Sequence, residues 1–321
     1  GNGFIGSYLV KRLESKYKIT VIDNNSSIGG IIYVSPNVRF IKGDIRDKNI
    51  YKKLIKIKFD TVYHLAAQSA GESSYDNPEY DILTNSYGTY LLTKFCVNNN
   101  VRKIIYTSTV AVYGNQSGLI KESSPIEPDS IYGASKFTGE LFLKQLTKNS
   151  KTKYTIFRVF NVYGPGENLN YLKKGMVSIY LSYVWKRKPI IVKGSIDRYR
   201  DLTYISDTID ALTMTLNNKK TDNQVYNLSS GKKTEVRILL QSIIDIFQLP
   251  KNYPIQIKDS TPGDSFGYHA SNIKIRKDLG WKSTIDLNTG LNQYKKWIKK
   301  LPVRKNLGLF HPFYLDSTNK K

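Results

Sequence analysis

Two rhythms of apolar and polar positions alternate along the first half of the chain. Short, mainly apolar runs occur at Ile19 to Ile22, Val38 to Ile41, Thr61 to Leu65, Lys103 to Ser108 and Tyr154 to Val159. Between them the apolar positions take a helical period: Tyr8, Leu9 and Leu13 in a segment ending near Tyr17, then about Pro78 to Asn98, then about Tyr132 to Thr147. Continuous apolar strands separated by helices predict a parallel sheet covered on both faces, a doubly wound α/β architecture. After Pro165 the rhythm loosens. Gly, Pro and Asn punctuate Gly164 to Gly194, while Val225 to Leu228 and a helix at Val236 to Phe247 read as pieces serving two layers. The expected division is a larger α/β domain at 1–163 and a smaller α/β lobe at 164–321, with segments around 202–230 returning to the first domain. A glycine-rich turn, Gly1-Asn2-Gly3-Phe4-Ile5-Gly6, opens the first helix. Such a turn follows a strand, so a first strand of about five or six residues and a further glycine are expected ahead of Gly1.

Composition narrows the class. The chain has 321 residues, with 49 Lys and Arg against 26 Asp and Glu, a formal charge of +23. With 40% apolar and 12% aromatic residues it has the material for a packed core, unlike charged disordered chains. A nucleic-acid partner would need clustered Lys and Arg. The densest stretch, Tyr294 to Lys300, reads instead as the solvated face of a C-terminal helix, so no nucleic-acid partner is expected. Cys96 is the single cysteine, which excludes a disulfide framework and points to a reducing, cytoplasmic setting. No apolar run nears the roughly 18 residues of a membrane span, and no membrane insertion is expected. His64, His269 and His311 have no metal-ligand spacing, so no metal is expected; His64 and Cys96 read as packing residues.

Candidate chemistry begins at the opening turn. Gly1, Gly3 and Gly6 would let backbone amides approach a pyrophosphate at the positive end of the first helix, although glycines alone also make tight turns. Asp23, closing the second run, is placed to bond adenosine ribose hydroxyls and to repel a 2′-phosphate, which selects NAD over NADP. Asp44 and Ile45 could flank the adenine, and Ala66-Ala67 leaves room for the cofactor. Tyr132-Gly-Ala-Ser-Lys136 is the most informative segment. Residues i and i+4 share a helix face, so an ammonium at Lys136 is expected to lower the Tyr132 phenol from its usual value of about 10 toward that of a general base. Thr109, ending the run before it, could bridge Tyr132 and a substrate alcohol. A lone Tyr, Thr or Lys would read as an ordinary surface residue; the three in this order do not.

These motifs resemble the extended short-chain dehydrogenase/reductase family, within it the NAD-dependent nucleotide-sugar epimerases and dehydratases. The resemblance spans nearly the whole chain through Gly1 to Gly6, Val21 to Asn24, Gly43-Asp44-Ile45, His64 to Gln68, Asn85 with Gly88-Thr89, Thr107 to Thr109 leading to Val112-Tyr113-Gly114, Tyr132 to Lys136, Arg158 to Pro165, Arg198 to Asp201 and Pro262-Gly263-Asp264. It implies a Rossmann-type fold and a Thr109, Tyr132, Lys136 triad. The NAD site it implies comprises Gly1, Gly3, Phe4, Ile5, Gly6, Asp23, Asn24, Asp44, Ile45, Leu65, Ala66, Ala67, Asn85 and Thr107, with Tyr132 and Lys136. For the sugar nucleotide it implies Thr109, Asn161, Arg200, Asp264 and Tyr268. Thr261 stands where the family usually supplies a diphosphate arginine, so Arg198 is the candidate replacement and Lys258 the second choice. The bulk of Tyr268 leans against an N-acetyl sugar. Dehydratases of the family carry an Asp-Glu pair after the Ser/Thr, and decarboxylases keep the Glu; here Val110 and Ala111 stand there. A UDP-hexose 4-epimerase is therefore expected, with a 4,6-dehydratase or decarboxylase as the alternative and a non-catalytic NAD- or RNA-binding scaffold as the reading from another class. The helices at about Pro78 to Asn98 and Tyr132 to Thr147 resemble the pair through which family members form homodimers.

Overall fold

The glycine turn runs straight into helix α1 (Phe4–Leu13), and the apolar runs that follow form strands in the order expected from their period. In the computed structural model, which describes residues 1–26, 37–260 and 265–301, the first half continues with β1 (Ile19–Asp23), β2 (Val38–Lys42), α2 (Lys48–Leu54), β3 (Thr61–His64), α3 (Gly71–Asp76), α4 (Pro78–Asp81), α5 (Gly88–Asn98), β4 (Lys103–Thr109), β5 (Gly118–Ile120), α6 (Ile131–Thr147) and β6 (Lys153–Val159). The second half holds β7 (Asn161–Tyr163), α7 (Met176–Trp185), β8 (Ile190–Lys193), β9 (Tyr199–Tyr204), α8 (Ile205–Met214), β10 (Gln224–Leu228), β11 (Lys233–Glu235), α9 (Val236–Phe247), β12 (Ile255–Lys258), β13 (Tyr268–Ala270), α10 (Ile273–Leu279) and α11 (Leu287–Lys300).

All strand pairs of the first half's main layers are parallel: β1 with β2, and β3, β4, β6 and β10 in spatial order. Strand β10 comes from beyond residue 200 and lies on β6 with Leu228 opposite Val159. Side chains leave both faces. Ile104, Tyr106 and Ile156 pack with Leu54, Leu92, Phe95, Cys96 and Leu143 on one side. Ile105, Phe157 and Tyr226 pack with Ile209, Leu212 and the core of the second half on the other. Each fully buried aliphatic or Phe side chain contributes about 1.5–3 kcal/mol, which is why an uninterrupted apolar run was needed.

Smaller sheets build the second half: β7, β9 and β11, then β8 with β12, and β5 with β13, so the strand β5 of the first half is completed by a segment 150 residues later. Helix α11 confirms the reading of the basic stretch. Tyr294, Trp297 and Ile298 are buried, while Lys296, Lys299 and Lys300 are exposed. Among the described residues no helix is long and apolar enough to cross a membrane.

The segment expected as one helix from Pro78 to Asn98 departs from that expectation. Its α4 and α5 ends flank a π-helical turn, Ile82–Tyr87, that buries Thr84, Asn85 and Ser86. A π turn inserts an extra residue into the ladder and is found mostly at functional sites.

Candidate active site

One cavity of about 830 Å³ runs from the glycine turn to the second half of the chain. At its first end, α1 begins with Gly3 as N-cap, no side chain caps its free N–H groups, and no acidic residue occupies its first turn. A Cβ at Gly6 would fall 2.4 Å from the carbonyl oxygen of Gly1, so only glycine lets the helix start this close to the turn. The uncapped N–H groups and helix dipole fit a pyrophosphate. The Asp23 carboxylate on the same wall accepts from the backbone nitrogens of Gly1 and Asn2 at 2.7 and 2.8 Å and from Asn25 at 2.8 Å. A carboxylate has about four acceptor positions, which leaves capacity for a ribose hydroxyl. Asp44 is clamped by Arg46 at 2.9 and 2.7 Å and by the Asn24 amide at 2.9 Å. These bonds, those of Arg46 above all, bring its carboxyl down to about 2. Phe4, Ile5, Asn24, Ile45, Leu65, Ala66, Ala67 and Thr107 line the same wall. This donor and acceptor set fits a dinucleotide.

Thr109, Tyr132 and Lys136 all line this cavity. Thr109 ends β4 and caps the short 3₁₀ turn Val110–Tyr113, accepting from Ala111 N at 3.2 Å. Ser130 caps α6 through Gly133 N at 3.1 Å. Gly133 then determines the approach: a Cβ there would lie 2.3 Å from the carbonyl oxygen of Ala111. Its missing side chain lets α6 dock on the 3₁₀ turn, which brings the Tyr132 hydroxyl close enough to Thr109 for that residue to pull on its titration. Val110 and Ala111 also line the cavity.

The expected lowering of Tyr132 does not occur. Burial pushes its phenol up to about 12, against the pull of the Thr109 hydrogen bond, and the nearby Asp81 charge raises it further. Burial brings Lys136 down to about 7, opposed by Glu140 and Asp81. Desolvation penalises the charged form of both groups and outweighs their partners. The Lys136 ammonium lies 4.3 Å from the centre of the Tyr106 ring, whose other neighbour is the stacked His64. His64 is buried, bonds Thr89 at 2.8 Å and is brought down to about 3 mainly by burial, which fits a packing role; Cys96 is likewise buried.

Asn85 is not where a cofactor ligand should be. Its amide nitrogen donates to Gln68 O, Asp81 Oδ1 and Ser135 Oγ at 3.0–3.1 Å, and its oxygen accepts from Gln68 N at 3.0 Å. It does not line the cavity. The π turn rotates it inward, and it ties the turn after β3 to α6.

At the far end, Asn161, Arg198, Arg200 and Tyr268 line the cavity. Arg198 precedes β9 and Arg200 lies on it; both are buried. The Arg200 guanidinium sits 5.5 Å from the Tyr268 ring centre and donates to Tyr199 O at 2.8 Å. Asn161 donates to Asp201 O at 3.3 Å. Lys258 is exposed on β12, away from the cavity walls, which removes it as a diphosphate ligand. Thr261, Asp264 and His311 lie outside the described residues. Sequence reasoning missed Ser69, Lys174, Lys193 and Glu167, all on the cavity wall. Lys174 and Glu167 fall in the Gly- and Asn-rich stretch that has no periodicity to mark them. Ser69 follows the Ala66-Ala67 signal by two residues and could have been included with it.

The family model described as the NAD dependent epimerase/dehydratase family matches residues 1–229. A Methanocaldococcus jannaschii protein carried under a provisional UDP-glucose 4-epimerase name is 32% identical over 303 residues, 93% of this chain and 96% of that protein. The UDP-glucose 4-epimerase of Thermotoga maritima, solved with UDP-glucose, superposes with a TM-score of 0.87 at 29% identity, covering 94% of this chain and 97% of that one. The UDP-glucuronic acid 4-epimerase of Bacillus cereus, solved with UDP-glucuronic acid and NAD, gives 0.84 at 27% identity, covering 93% and 96%. A glycine turn built for a pyrophosphate, a Thr-Tyr-Lys cluster in the same cavity and a family match over most of the chain lead to one conclusion: this chain belongs to the NAD-dependent epimerase/dehydratase family, and NAD is its cofactor.

Proposed function

We propose that the protein is a nucleotide-sugar 4-epimerase acting on a UDP-linked hexose. NAD, when bound, accepts a hydride from the sugar C4 and returns it. Once the Tyr132 phenol has released its own proton to solvent, the phenolate oxygen takes the proton of the sugar 4-hydroxyl, with Thr109 beside it, and gives that proton back on reduction. Lys136 sits one turn along the same face and stabilises the phenolate as it forms. Burial holds the phenol at about 12, so ionising it relies on a positive charge beside it, and the pH-rate profile reports the pair. Arg198, Arg200 and Asn161 hold the diphosphate end. Residues 1–163 with the returning segment 202–230 form the cofactor half.

The observation that carries the reaction type is the wall beside Thr109. Val110 and Ala111 occupy it, and neither moves a proton. Once the 4-ketose exists, these positions offer no acid or base for eliminating water across C5 and C6, so the ketose is reduced again on either face. In deuterium oxide the product is expected to be a C4 epimer of unchanged mass after back-exchange of hydroxyls. A product lighter by one water, or one with carbon-bound deuterium, would show the dehydratase chemistry that the family also contains.

Two further features belong to this reading. The buried, free Cys96 suits a reducing cytoplasm. The helices α5 and α6, with the π turn, form a homodimer interface whose exposed apolar side chains include Ile82, Leu83 and Leu141.

A further inference from the structure

Four contacts join the α3 region of the cofactor half to the loop before α7 and to β8. Glu72 pairs with Lys193 at 3.0 Å, Asp76 pairs with Lys173, Ser73 meets the Tyr171 hydroxyl, and Ser69 Oγ accepts from Lys174 Nζ at 2.7 Å. The lysines differ in one respect. Lys173 and Lys193 have carboxylate partners, whereas Lys174 has a neutral hydroxyl and, among the described residues, no carboxylate within ion-pair distance. Its acidic neighbour Glu167 is buried and held up at about 8 by burial, and packing around Lys174 brings its ammonium down in turn, against the pull of Glu167. Lys174 and Ser69 are nevertheless both exposed, and both line the cavity.

Their position in the cavity is set by the hub at Asn85. Gln68, next to Ser69, is bonded through Asn85 to Ser135, which adjoins Lys136 on the catalytic helix. Lys174 thus lines the same cavity as Thr109, Tyr132 and Lys136 and is joined to α6 through Ser69, Gln68 and Asn85, while Arg198 and Arg200 line it from the β9 and Tyr268 side. An ammonium that keeps donors beyond its bond to Ser69 can take an anionic group in that cavity.

We propose that Lys174, steadied by Ser69, binds a negatively charged substituent of the sugar, so that the substrate is a nucleotide-linked acidic sugar of the hexuronate class. This rests on the 4-epimerase reading. Binding of UDP-glucuronate and of UDP-glucose to the NAD-loaded protein, measured by calorimetry for the wild type, Lys174→Met and Lys174→Arg, tests it. The expected result is at least tenfold tighter binding of the uronate by the wild type. Lys174→Met should lose at least tenfold more affinity for the uronate than for the neutral sugar, and Lys174→Arg should restore most of it. Equal losses for both sugars would assign Lys174 to the diphosphate and overturn the inference, as would a wild type that does not prefer the uronate. If neither sugar nucleotide binds, the 4-epimerase reading itself fails, and the inference falls with it.

Discussion

Tyr132 and Lys136 stand one helical turn apart, and the same burial drives them in opposite directions, the phenol up to about 12 and the ammonium down to about 7. The phenol is thereby held neutral, while the Lys136 amine is brought to where charged and neutral forms are about equally populated at neutral pH. That is the electrostatic setting of an acid–base pair, since the ammonium is worth most where water is excluded. Removing the phenol hydroxyl should cost most of the turnover while sparing the cofactor, whose wall lies at the glycine turn. Tyr132→Phe is expected to lower kcat by roughly 10²- to 10⁴-fold, the range for losing a general base. NAD affinity, read by calorimetry, should change little. Retention of most activity would remove Tyr132 from the proton transfer.

Among the elements, the loop between β7 and α7 carries the least visible constraint. Glu167 in it interacts with the backbone of Gly164, with Ser178 on α7 and with Tyr294 on α11, at 3.4 Å for the last, so one carboxyl joins three pieces of the second half. Burial raises it from the ordinary 4.5 to about 8. Between those values the folded protein keeps a proton that the unfolded chain has released, so this group's contribution to stability is present at acid pH and is lost as pH rises through 8. Unfolding in urea should therefore show wild type losing stability relative to Glu167→Gln as pH rises from about 4.5 to about 8, by on the order of a few kcal/mol. A flat difference would mean that the carboxyl is ionised in the fold.

At the scale of the molecule, the unexplained surface is the outer face of α5 and α6. Tyr90 and Phe142 pack across the two helices with ring centres 5.6 Å apart, and beyond them Ile82 and Leu141 are each 49% exposed. Single exposed apolar residues are common, but several on one helix pair suit an obligate interface, whose core is more apolar than ordinary surface. Sedimentation at micromolar concentration is expected to give a dimer, and Leu141→Lys to shift it toward monomer. A wild-type monomer would remove the interface from the reading.

What the sequence determined by itself is what local periodicity and fixed spacing encode. Parallel strands buried on two faces are mainly apolar, so β4 and β6 were legible as runs, and β1 to β3, though less buried, carry a similar mainly apolar signal. Tyr132 and Lys136 were legible because a helix brings i and i+4 together whatever surrounds it. The three-residue strands β5, β7, β11 and β13 are too short to show a period; only their distant partners make them strands. The inward turn of Asn85 depends on a π turn that no apolar pattern marks. The contact between Ser69 and Lys174 joins residues 105 apart. Titration lay furthest from the sequence. The spacing of Tyr132 and Lys136 predicts a lowered phenol, yet the fold raises it, because the amount of protein packed around both groups, and hence the cost of charging either, is set only by the tertiary structure.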